Sequence, residues 1–140
     1  MKKWLYLIGA LATVAVLSRL PHPARDIAKL EPVRAAYLYI DQGQVAIETD
    51  TGSSGSGPNL KDAYAALKRS ADREIFLDTA EFLILDPNVP IPQEIYEIFR
   101  PDCKVVLSNI RPDLEEAPDY LSQHKPQLTL ARLRASLIQR

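Results

Sequence analysis

Six residues, Gly52-Ser53-Ser54-Gly55-Ser56-Gly57, separate a stretch of alternating apolar residues from one with helical spacing. A glycine-rich loop in that setting is where backbone N–H groups cradle phosphate. The P-loop form of that cradle needs Lys and then Ser or Thr after its last glycine. Here Pro58 and Asn59 follow Gly57, so the lysine is missing and Pro58 removes a donor. The run reads as a flexible, solvated loop whose composition matters little to stability, with anion binding as the competing reading. Ser53, Ser54 and Ser56 lack the G-x-S-x-G elbow of a serine hydrolase.

Asp72, Glu74, Asp78, Glu81 and Asp86 form an acidic run. Paired carboxylates can hold a metal or move protons. These show no EF-hand spacing, and Arg69 and Arg73 interleave with them, so the run reads as a solvated strand end. His22 and His124 each neighbour a proline or a loop and have no His or Cys partner at ligand spacing. The single cysteine, Cys103, excludes an intramolecular disulfide and precedes the apolar run Lys104–Leu107, where it reads as a small core residue. No catalytic, cofactor-binding or metal-binding residue is predicted, and the sequence argues against an enzyme.

The elements that surround these residues are better marked. Asn59 offers a helix cap. Leu60, Ala63, Tyr64, Leu67 and Ala71 follow at steps of three and four, with Lys61, Asp62, Lys68 and Arg69 opposite. Leu67 should therefore face a sheet. Phe82–Leu85 is apolar on both faces, as a central strand is, and Ile84 should sit inside it. Val33–Asp41 predicts a first strand, Gly43 a turn, and Gln44–Thr51 an edge strand returning in a hairpin. Arg73–Leu77 reads as a short extended piece. Pro92 opens a helix with Ile95, Ile98 and Phe99 on its apolar side. Lys104–Ser108 then completes a parallel βαβ unit with Phe82–Leu85. Leu114–Ser122 predicts a helix interrupted near Pro118, and Leu128–Arg140 a terminal helix. Ala24–Leu30 predicts a short helical turn ended by Pro32.

Composition fits one globular domain: 140 residues, 46% hydrophobic and 25% charged, with no internal repeat. The N-terminus stands apart. Lys2 and Lys3 precede Trp4–Ser18, which carries no charge, and Arg19 follows. Fifteen uncharged residues fall short of a comfortable spanning helix and near a signal-peptide core. Arg19 and Pro21 make a poor cleavage site after Ser18, which favours an uncleaved signal-anchor over a cleaved signal peptide. Either reading exports the rest of the chain, because lysines stay on the cytoplasmic side. Outside Lys2, Lys3 and Arg19 the chain has 14 basic and 18 acidic residues, which does not suit nucleic acid.

Residues Arg25 to Asp86 resemble the start of the Ger(x)C family, the C subunits of spore germination receptors in endospore-forming bacteria. The likeness rests on Arg25-Asp26-Ile27, Leu30, Tyr37-Leu38-Tyr39-Ile40-Asp41, the Gly/Ser segment, and Leu60-x-x-Ala63-x-x-x-Leu67. Glu74–Leu77 and Phe82–Leu85 match the shape of the family's next segments, with Thr79 standing where the family often has histidine. No cysteine lies near Leu20, so the lipid anchor of the family is replaced here by the apolar helix. The expected product is an α/β (α+β) domain with a mixed sheet of about four strands and two to three packed helices, behind a transmembrane signal-anchor. Its expected divisions are 1–20 anchor, 21–32 linker and 33–140 extracytoplasmic domain. The resemblance implies a non-catalytic interaction module at the cell membrane, partnered by membrane subunits of a germination-receptor-like complex. The alternatives are an envelope accessory protein unrelated to germination and an anion-binding enzyme using Gly52–Gly57.

Overall fold

The computed structural model describes residues 2–19 and 30–138. The helical turn expected over 24–30 lies outside them, apart from Leu30, which opens a strand. In chain order the elements are α1 (Lys2–Arg19), β1 (Leu30–Pro32), β2 (Ala35–Asp41), β3 (Gln44–Thr49), β4 (Ser54–Gly57), α2 (Leu60–Ser70), β5 (Glu74–Phe76), β6 (Phe82–Leu85), α3 (Ile95–Ile98), β7 (Lys104–Leu107), α4 (Ala117–His124) and α5 (Leu130–Ile138). The fold is mixed α/β. Its main sheet has five strands in the order β4-β3-β2-β6-β7, and β1 pairs with β5 in a separate two-stranded ladder.

The right half of that order is parallel, with Ala36 opposite Leu83 and Leu83 opposite Val105. The βαβ unit read from Phe82 to Ser108 is thus present, with β6 inside the sheet. The left half is antiparallel. β2 and β3 meet through Gln42 and Gly43, both at positive φ (50° and 78°), the requirement of a type I′ hairpin turn. Thr79 ties the start of β2 to the segment before β6: its hydroxyl donates to the Val33 carbonyl at 3.0 Å and accepts from the Val33 amide at 3.1 Å.

β3 is not the edge. The edge is β4, built from the very residues expected to form a solvated loop. Strand pairing uses backbone groups alone, so a run without apolar side chains can still close a sheet. Thr49 N–H donates to the Ser53 carbonyl at 2.9 Å. The antiparallel alternation then makes Ile47/Gly55 and Val45/Gly57 the bonded pairs. The glycines serve a second purpose. A Cβ on Gly55 would lie 2.2 Å from the Leu67 nitrogen and 2.5 Å from the Ala63 oxygen, and one on Gly57 2.9 Å from the Ala63 nitrogen. Helix α2 therefore lies backbone to backbone on β4, which only a glycine face allows.

The sheet has two covered faces of unequal quality. On the first, Leu38, Ile47, Leu83, Leu85 and Val105 meet Leu60, Ala63 and Leu67 of α2, Ile95 of α3 and Leu130 of α5. Leu67 is fully buried, as its phase predicts, and Asn59 caps α2 by accepting from the Asp62 amide at 2.9 Å. On the second face, Ala35, Tyr37, Phe82 and Ile84 meet Ala117 and Leu121 of the eight-residue α4, with Leu114 packed alongside. Pro118 does not interrupt that helix. It lies in its first turn, where no N–H is needed. No helix among the described residues is long and apolar enough to cross a membrane.

Candidate functional site

Several of the residues first considered for chemistry have structural roles. The Gly52–Gly57 run builds no phosphate cradle: Gly55 and Gly57 are bonded to β3 and covered by α2. The nearby helix N-terminus already holds the Asp62 carboxylate, which accepts from the Asn59 side chain at 3.1 Å. A second anion there would meet a negative charge. Among the described residues no group of three His, Cys, Asp or Glu side chains could hold a metal ion. Glu81 pairs with Arg34 at 3.5 Å, and Asp86 accepts from the Asn88 amide at 2.8 Å in a turn. Asp72, Glu74 and Asp78 are exposed. His22 lies outside the described residues. The His124 ring nitrogen Nδ1 is 2.8 Å from the Tyr120 carbonyl, and the ring stacks on Tyr120 at 3.9 Å.

Cys103 is buried immediately before β7. Burial, with a smaller contribution from Asp102, pushes its thiol from 9.0 up to about 12. A thiol held neutral in that way is a poor nucleophile. It lines a cleft of about 460 Å³ between the N-terminal ends of β6 and β7 and the loop after α4. Within the cleft Arg100 is forked onto Asp102 at 3.1 and 3.0 Å, and Lys104 and Lys125 add two further cations to its lining. The Ser122 hydroxyl there donates to the Pro118 carbonyl.

The feature best suited to recognition is on the thinly covered second face. Between α4 and the ends of β6 and β7 runs a groove of about 280 Å³. Ile84, Val106 and Leu121 form its floor, Pro112 and Tyr120 its walls, and Asp113 and Glu116 its rim. Tyr120 is 58% exposed although it borders an apolar channel. Such a surface accepts apolar side chains flanked by lysine or arginine.

Further along the same face Tyr37 and Tyr39 stack at 4.9 Å. Tyr39 donates its hydroxyl proton to Glu48 at 2.8 Å, and Arg111 reaches the same carboxylate at 2.5 Å. Burial, then the Glu48 carboxylate, pushes the Tyr39 phenol up to about 12. Arg111 also lies 5.8 Å from the Tyr39 ring centre. This bridge fastens the segment before α4 across the sheet and so fixes the groove's wall. Tyrosine and arginine are the residue types that most often anchor protein interfaces.

Sequence reasoning missed the groove. Its residues come from β6, β7 and the approach to α4, and no spacing links them. The one visible signal was the concentration of acids at Asp113, Glu115, Glu116 and Asp119 beside Tyr120. No family model, no characterised protein and no solved structure matches this chain.

Proposed function

We propose that the protein is a non-catalytic, membrane-tethered interaction module whose domain lies outside the cytoplasm and contacts its partner through the groove under α4. The observation that carries this reading is the exposure of α1. Trp4, Leu5, Tyr6, Leu7 and Ile8 are each at least 60% exposed, and five consecutive positions cover every side of a helix. An apolar surface of that extent in water is strongly unfavourable and asks for cover. A bilayer supplies it on all sides at once.

Eighteen residues at ~1.5 Å each reach about 27 Å, against a hydrocarbon core of roughly 30 Å. On this proposal snorkelling by Lys2 and Lys3 and slight thinning of the bilayer offset the shortfall in length and apolarity that keeps α1 below an ordinary spanning helix. Two lysines before the helix favour the cytoplasm for the N-terminus. The likeness to the first domain of germination-receptor C subunits adds a partner class: membrane subunits of a receptor-like complex in a spore-forming cell. In support, Leu60, Ala63 and Leu67, which carry that likeness, are all buried against the sheet. Thr79, in place of the family's histidine, is engaged in fastening Val33 and takes no part in the groove.

The test is membrane fractionation of the full-length protein. It should remain with membranes through a carbonate wash. Recovery of a shortened protein starting at Arg19 in the soluble fraction would refute the tether.

A further inference from the structure

Charge is distributed unevenly along the chain. Residues 30–119 hold eight basic and seventeen acidic residues, a balance of −9. From Tyr120 to the end there are four basic residues, Lys125, Arg132, Arg134 and Arg140, and no acidic one. That basic segment contains α5, which is only lightly attached. Leu130 is its one fully buried residue, while Leu137 is 44% and Ile138 76% exposed. An arginine-bearing helix with an uncovered apolar side is what lies along an anionic membrane surface.

Beneath α5 is a crevice of about 220 Å³ walled by Tyr96, Phe99, Leu130 and Ile138. Tyr96 lines it with its ring, while its hydroxyl is shut off from solvent. The Arg134 guanidinium stands 5.1 Å from the centre of the Tyr96 ring. That guanidinium, at the crevice, suits a phosphate oxygen through a charge-assisted hydrogen bond. We infer that α5 and the Tyr96 crevice form a docking surface for a bilayer carrying anionic phospholipid. The apolar side chains of Leu137 and Ile138 enter the interfacial region, and Arg132 and Arg134 meet the headgroups.

The bilayer is favoured over a second copy by proximity, a point that rests on the tethered reading above. Ten residues separate Arg19 from Leu30, so covalent reach holds the domain within roughly 40 Å of the end of α1. An anionic surface at that range repels the −9 portion and attracts α5. The interaction thereby sets the orientation of the groove above the membrane.

The full-length protein should be reconstituted in vesicles of phosphatidylcholine alone or mixed with phosphatidylglycerol, each carrying a nitroxide-labelled lipid. A bimane on Leu137→Cys reports α5, and the single tryptophan, Trp4, reports α1 in the same sample. The native Cys103 is buried and stays unlabelled. Bimane quenching should be strong with phosphatidylglycerol, weak without it, and reversed by high salt but unaffected by free inorganic phosphate at low concentration. Arg132→Ala with Arg134→Ala should lower the bound fraction's partition constant roughly 25-fold, at about fivefold per arginine. The double variant should remain folded by near-ultraviolet circular dichroism. Equal quenching in both lipids overturns the inference, and so does quenching that follows protein concentration in neutral vesicles, which marks a second copy. Trp4 unquenched while bimane is quenched sinks the tether alone; the opposite pattern sinks the α5 surface alone.

Discussion

Gly55→Ala is the substitution that most sharply probes how this domain is held together. The added methyl would lie 2.2 Å from the Leu67 nitrogen, 2.5 Å from the Ala63 oxygen and 2.7 Å from the Leu67 Cα. All three are backbone atoms of α2, so no side chain can swing aside. Ordinary contact begins at 3.4 Å, so the helix must retreat by roughly an ångström. That retreat loosens Leu60, Ala63 and Leu67 together, each of which is at most 1% exposed. Overpacking usually costs ~1–3 kcal/mol, and a rigid backbone obstacle belongs at or above the upper end. Against the ~5–15 kcal/mol of a typical domain that is a large loss. Two neighbours serve as controls. Gly52→Ala, at φ +89° with open space around it, should cost about 1–2 kcal/mol of backbone strain. Ser56→Ala, exposed on the same strand, should stay within ~0.5 kcal/mol. Urea unfolding followed by circular dichroism reads all three. Equal midpoints for Gly55→Ala and Ser56→Ala would refute the close packing of α2 on β4.

Leu67→Ala and Ile84→Ala, both in the core, should each cost ~2–5 kcal/mol in the same assay. Lys68→Ala should cost ~0.5–1 kcal/mol at most, since it loses only the contact of its ammonium 4.2 Å from the Tyr64 ring. The Cys103 thiol, raised from 9.0 to about 12, supports the fold fully below pH 9 and loses that support as pH climbs toward 12. Stability should accordingly fall by up to ~1.4 kcal/mol per pH unit in that window on account of this group alone, and Cys103→Ala should flatten the slope measured by urea midpoints. Arg111→Ala, which removes the bridge from the segment before α4 to Glu48, should increase amide hydrogen exchange over residues 108–116 while leaving exchange in β6 unchanged.

Most of the fold was legible because its signals are local. The spacing of Leu60, Ala63 and Leu67 locates the buried side of α2, and the unbroken apolar run Phe82–Leu85 announces an interior strand. Gly43 marks the hairpin turn. What escaped was carried by backbone or by distant pairing. β4 has no side-chain pattern at all; its glycines are there for what they let approach, and nothing in Gly-Ser-Gly distinguishes a close helix contact from a loop. The pairing of Leu30–Pro32 with Glu74–Phe76 joins segments over forty residues apart that show no alternation of their own. Pro118 was misjudged because a proline in a first turn and one in a helix interior look alike until the start of the helix is known. The groove was hidden for a similar reason, since Ile84, Val106 and Tyr120 become neighbours only when β6, β7 and α4 are assembled.

The central claim, a domain held at the membrane on the non-cytoplasmic side, is most directly tested by surface labelling in intact cells. Ser56→Cys places a thiol on the exposed outer edge of β4, while the native Cys103 is buried and silent. A membrane-impermeant maleimide should label Ser56→Cys in unbroken cells, to the same extent as after lysis and in protein of full length. Labelling that appears only once the cells are broken would place the domain inside and contradict the account.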